Sequence, residues 1–180
     1  MLTDITYLDL EYVVLNMRER DKGEIFALRS HDNPLQLAME AHSAIRNLGR
    51  GQIAWAHGRP CAVLAFTEEW PGMWSIWMFG TDDFKHGAID LLRWARKEAN
   101  AILSVCKGHR IQADSRADYE EAHKLIRAAG GRPEFTMRAY GKNGEDYIRF
   151  VWLRSEDSAI LGPHFVRADK SVPDKHEKAA

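Results

Sequence analysis

The residues best placed to do chemistry lie in one stretch, MFGTDDFKHGAIDLL, from Met78 to Leu92. It reads as an apolar strand, a tight polar turn and an amphipathic helix. That order suits a phosphate, because the first turn of a helix offers unpaired N–H groups and the positive end of the helix dipole. Lys85, His86 and the first-turn amides are the groups such an anion would meet. Asp82 and Asp83, however, stand where a phosphate cradle wants glycines, and carboxylates at a helix start are explained by the dipole alone. The turn reads either as an anion site or as the shell of one.

Other chemistry is sparse. The eight histidines are scattered, with no H-x-x-x-H or His/carboxylate cluster, so no metal site is expected. The two cysteines, Cys61 and Cys106, lack a C-x-x-C or metal-like spacing and read as buried fillers in a reducing cytoplasm. With 25 basic and 26 acidic residues the net charge is −1, which argues against a protein that coats nucleic acid. No secretory-type leader and no spanning apolar run are evident, so a soluble chain without a membrane span is expected.

The elements that must position these residues are legible from periodicity. Glu11 to Met17 reads as a strand from its β-branched run, and Arg20 to Leu28 as a short helix. Asn33 as N-cap, Pro34 behind it and Gln36 three residues after the cap open a helix carrying Leu37, Ala38, Ala41, Ala44, Ile45 and Leu48, which Gly49 and Gly51 stop. GQIAWAHG and PCAVLAFT then form a hairpin around His57 to Pro60. Met73 to Phe79, apolar on both faces, reads as a central strand, and the helix after it has one stripe from Phe84 to Leu103. Arg110 to Ala113 is a short strand, and Ser115-x-x-Asp118 a capping box for a helix that Gly130 and Gly131 end. Glu134 to Tyr140 and Tyr147 to Leu153 close the domain as a second hairpin. Residues 1–154 make one domain, and Ser155 to Ala180 turn polar and read as an extension without its own core. Six tryptophans point to a well-filled core or to interfaces.

This order resembles the GNAT N-acetyltransferase superfamily over about Tyr12 to Leu153, and Ala122-x-x-Leu125-x-x-x-x-Gly130 looks like the helix signature that ends those domains. The implied fold is mixed α/β, with a mostly antiparallel sheet of six to seven strands and about four helices. More narrowly, HGRPCAVLAF, WSIWMFGTDDF, RIQADS and YGKNGEDYIRFVW are similar to a GNAT-like group of short-tailed phages related to internal virion protein A.

The resemblance implies acetyl-CoA in a cleft between the fourth and fifth strands. The backbone of Met78, Phe79 and Gly80 would pair with the pantetheine arm, and Lys85, His86 and Gly87 would lie at the pyrophosphate. The family turn, Arg/Gln-x-x-Gly-x-Gly/Ala, is not kept: its leading residue falls on Asp82 or Asp83 and its glycine on Lys85 or His86. A carboxylate beside a pyrophosphate is repulsive by about 1 kcal/mol or more. The family's acid, a tyrosine four residues before the closing glycine, falls on Ile126, which cannot transfer a proton; Tyr119 is the substitute on the same helix. Glu68, its neighbour Glu69 and Asp114 are the carboxylates available as a general base.

Two readings follow. One is an acyl-CoA-dependent N-acyltransferase acting on a primary amine. The other is a GNAT-shaped internal virion or assembly component without catalysis, with other phage virion or core proteins as partners, found in the host cytoplasm or the virion. The altered turn and Ile126 favour the second, as do the Trp70-Pro71-Gly72 connection, the basic helix face and the polar tail as surfaces for a partner or a second copy.

Overall fold

The computed structural model describes residues 1–154. The expected extension from Ser155 lies outside the described residues. Strands β1 (Leu2–Thr3), β2 (Gly49–Ala56), β3 (Arg59–Trp70), β4 (Met73–Gly80), β5 (Arg110–Arg116), β6 (Arg132–Met137) and β7 (Tyr147–Leu153) make one sheet in the order β1-β2-β3-β4-β5-β7-β6. All neighbours are antiparallel except β4 and β5. The helices are α1 (Tyr7–Leu15), α2 (Glu19–Phe26), α3 (Pro34–Leu48), α4 (Ala88–Ser104) and α5 (Glu120–Ala128), and a 3₁₀ turn (Asp82–His86) precedes α4. The mixed, mostly antiparallel α/β architecture is the expected one, with one helix more.

That extra helix is α1, where a strand was expected. Val13 and Val14 are β-branched, yet Leu10, Val13, Val14 and Met17 recur at helical spacing and are all within 3% of full burial. Thr6 caps the helix by accepting from the Asp9 N–H at 3.2 Å. Burial of one stripe outweighed local propensity. The α3 start is as expected: the Asn33 side chain accepts from the N–H groups of Leu35 and Gln36 at 3.0 and 3.3 Å, with Pro34 behind it. The β2–β3 connection is tighter than expected. Only His57 and Gly58 turn, both left-handed at φ 51° and 73°, as a twist-matched two-residue hairpin requires.

The Ser115-x-x-Asp118 capping box is not formed. Ser115 is still in β5, α5 begins after Tyr119 without a side-chain cap, and Asp118 pairs with Arg116 at 2.9 Å. Two cores result. Leu91, Ala95, Ile102 and their neighbours on α4, with Leu125 and Ile126 of α5, cover one sheet face. Leu10, Val13, Leu37, Ala38 and Phe26 from α1, α3 and α2 cover the other, so β4 is buried on both sides as its apolar run implied.

Candidate active site

β4 and β5 pair only at Met73–Arg110, Trp74–Ile111 and Ser75–Gln112. Beyond Ser75, β4 stays with β3 as far as Gly80 and β5 with β7 as far as Arg116, so the two diverge as a V. A cavity of about 410 Å³ opens into that V and reaches both sides of the sheet. On the α4/α5 side its wall is apolar, with Leu91, Ala95, Leu125 and Ile126 against Ile76 and Met78. On the α2/α3 side Ile25, Leu37 and Trp77 are joined by Glu24, Arg29 and Glu40.

Helix α2 closes the wide end of the V. Arg18 N–H donates to the Gly80 carbonyl at 2.9 Å, and Met17 bridges Thr81, so the entry to α2 takes the place a continued β5 would have held. Asp21 then accepts from Gly80 N–H at 2.8 Å, from the Tyr119 hydroxyl at 2.8 Å and from both Nε and Nη2 of Arg18. One turn later, Glu24 Oε1 accepts from the Ser115 hydroxyl at 2.7 Å and from Arg116 N–H at 2.8 Å. Tyr147 donates to the Glu24 carbonyl at 2.6 Å. Each carboxylate thus takes up a backbone N–H that the diverging strands leave without a ladder partner.

The two differ in what remains free. Asp21 is buried and engaged on both oxygens. Glu24 uses one oxygen for both bonds and lines the cavity. Burial pushes the Glu24 carboxyl up from its ordinary range, working against the bonds from Ser115 and Arg116 that favour the charged form. Glu40, on the same side, is held below its ordinary range: its partial burial opposes this, but the hydrogen bonds from Gln36 and His31 and the Arg29 charge outweigh it.

The sequence-derived candidates fall at different places. Gly80 has its N–H on Asp21, so successive strand residues alternate and Met78, two back, directs its N–H and C=O into the V. Phe79 faces the other way, toward β3, as does Thr81, whose N–H donates to the Cys61 carbonyl at 2.9 Å. Gly87 ends the 3₁₀ turn against β2 and β3, and a Cβ there would stand 2.6 Å from Ala54 Cβ and 2.9 Å from Cys61 Sγ. Its smallness serves that close approach. Lys85 and His86 are exposed on the turn, as are Asp82 and Asp83. Among the described residues no side chain caps α4, so its first N–H groups have no capping partner there.

Of the candidate acids and bases, Asp114 lines the cavity but is held by Arg149 through two bonds of 2.8 and 2.7 Å. Glu68 caps the β3–β4 turn by accepting from Gly72 N–H at 2.8 Å, at the paired end of β4. Tyr119 donates to Asp21, and its burial and the Asp21 charge push the hydroxyl well above its ordinary value. Glu24 and Asp21 were not among the sequence candidates. The D-x-x-E spacing that puts both on one face of α2 was the only signal, and it is common on surface helices.

Comparison with known proteins agrees with this layout. No protein-family model matches the chain, and no curated protein matches it. Solved structures do: an N-acetyltransferase from Staphylococcus aureus Mu50 superposes with a TM-score of 0.67 at 15% identity, covering 86% of this chain and 98% of that one. The chain has the GNAT fold. A ribosomal-protein-alanine N-acetyltransferase from Brucella melitensis gives 0.64 at 12% identity over 85% and 99% of the two chains. A spermidine N-acetyltransferase from Vibrio cholerae, solved in complex with CoA and spermine, gives 0.63 at 13% over 86% and 95%. In this chain the V between β4 and β5 is open and lined on one side by aliphatic side chains. No helix among the described residues is long and apolar enough to cross a membrane.

Proposed function

We propose that this chain is an acyl-CoA-dependent N-acyltransferase acting on a primary amine. The observation that carries the reading is the cavity through the sheet, apolar on the α4/α5 side and bearing Glu24 on the α2/α3 side. The apolar half suits an acyl-pantetheine arm, and the free N–H and C=O of Met78 suit its amides. Bound there, the thioester supplies the electrophilic carbonyl. Glu24 is the general base: a half-buried carboxylate whose proton affinity burial raises can take a proton from an ammonium group and release the amine lone pair. Arg29 and Glu40 line the route by which the amine arrives.

The cavity residues of α5 are Ala122, Leu125 and Ile126, with Ala129 just after it, so this helix supplies no acid. As the C–N bond forms and the C–S bond breaks, the coenzyme leaves as a thiolate. Of the two protons lost by the ammonium nitrogen, one passes through Glu24 to solvent and one ends on the thiolate. Asp82 and Asp83 remain unfavourable to a pyrophosphate, offset by Lys85, His86 and the uncapped start of α4. The reading as a non-catalytic internal virion component rests on the sequence resemblance, on the altered turn and on Ile126.

Isothermal titration of the full chain with acetyl-CoA, in the presence of a chelator, separates the two. Micromolar binding by the wild type is expected, with tighter binding by an Asp82→Gly/Asp83→Gly variant. Binding by the variant alone would mean a coenzyme site lost through charge, and binding by neither would overturn the proposal and return attention to phage partners. Spermidine and an alanine-terminated peptide, the acceptors named for two of the structural neighbours, are the first amines to try.

A further inference from the structure

Outside the cavity, three potential ligands converge at the surface. His57 comes from the β2–β3 turn, and Asp83 and His86 from the 3₁₀ turn before α4; one ligand atom from each lies within 4.8 Å of the others. In a 3₁₀ turn side chains at i and i+3 eclipse, so Asp83 and His86 point the same way. The left-handed backbone of His57 brings its ring across to them, edge to face with His86 at 4.9 Å between centroids. None of the three side chains has a hydrogen-bond or ion-pair partner among the described residues. The sequence pattern hid the cluster, because His57 is far from the other two along the chain.

We propose that His57, Asp83 and His86 bind a divalent transition-metal ion, for which Zn²⁺ is the probe. Two imidazole nitrogens and one carboxylate oxygen are a borderline donor set, suited to Zn²⁺, Cu²⁺ or Ni²⁺ and not to Mg²⁺ or Ca²⁺, which take oxygen. Three protein ligands leave the fourth tetrahedral position to water or an incoming anion. The ion ties the tip of the β2–β3 hairpin to the entrance of α4, adding to the Thr81–Cys61 backbone bond and the Gly87 packing against Ala54 and Cys61. It also cancels the charge of Asp83 at that turn. The proposal stands independently of the acyltransferase reading.

Titration of the full chain with ZnCl₂ tests it, beside His57→Asn, which tolerates the left-handed backbone, and His86→Ala. One saturable site is expected in the wild type. Each variant should bind at least about tenfold more weakly, since loss of even an outer partner costs that much. Metal-free, both variants should unfold where the wild type does, because the residues are exposed; Zn²⁺ should raise only the wild-type midpoint strongly. Equal affinity in wild type and variants would place the ion elsewhere and overturn the assignment, as would the absence of saturable binding or equal competition by Mg²⁺.

Discussion

Asp21 and Glu24 stand one turn apart on α2 and hold the two arms of the same V, yet one has both oxygens engaged and the other keeps one oxygen without a partner among the described residues. Asp21 is 3% exposed and receives Arg18, Gly80 N–H and the Tyr119 hydroxyl, so its charge is balanced and both oxygens are occupied. Glu24 receives two bonds on one oxygen and has no ion-pair partner among the described residues. The same residue chemistry, one helical turn apart, is fully engaged or left with an oxygen open to the cavity according to how many donors reach it.

The sharpest way to break this comparison is Asp21→Ala. It strands the part-buried Arg18 guanidinium and the Gly80 N–H, and should cost about 3–5 kcal/mol in urea denaturation. An unchanged midpoint would show that α2 does not depend on this carboxylate. Glu24→Gln keeps the size and one acceptor; it should leave acetyl-CoA affinity and folding intact while kcat/KM falls by about 10²–10⁴. Normal turnover in that variant would remove Glu24 as base.

Tyr119→Phe deletes a hydrogen bond to a carboxylate. It should cost about 1.5–3 kcal/mol of stability with kcat retained, whereas a loss confined to kcat would restore Tyr119 as the acid. The smallest effect is a pH dependence. Because burial raises Glu24, the folded state holds this proton more tightly than the unfolded chain. Its contribution is therefore fully present below the ordinary value of 4.5 and lost as pH rises through the folded value. Stability followed by denaturation from about pH 4.5 upward should decline more in the wild type than in Glu24→Gln.

Much of the fold was legible because its signals are local. The Asn33-Pro34 start, the hairpin turn beginning at His57 and the both-faces-apolar β4 each depend on a few neighbouring residues. The α1 helix was misread for the same reason in reverse: a β-branched pair is a local strand signal, while the stripe that overruled it gains its energy from β3 and α3 across the core. The capping box at Ser115 failed because pairing with β7 keeps Ser115 in β5, and α5 starts only after Tyr119.

The sequence by itself determined the α/β class, the order of the elements from α2 onward, and the two carboxylates at the turn after β4, since helix caps, tight turns and apolar periods act within a few residues. Tertiary structure alone decided which carboxyl faces the cavity and which surface residues converge. Asp21 meets Gly80 and Tyr119 across 59 and 98 residues, Glu24 meets Arg116 across 92, and such partners are brought together only by packing α2 into the gap between two strands. Burial and donor count set a carboxylate's proton affinity, and both are properties of the assembled core.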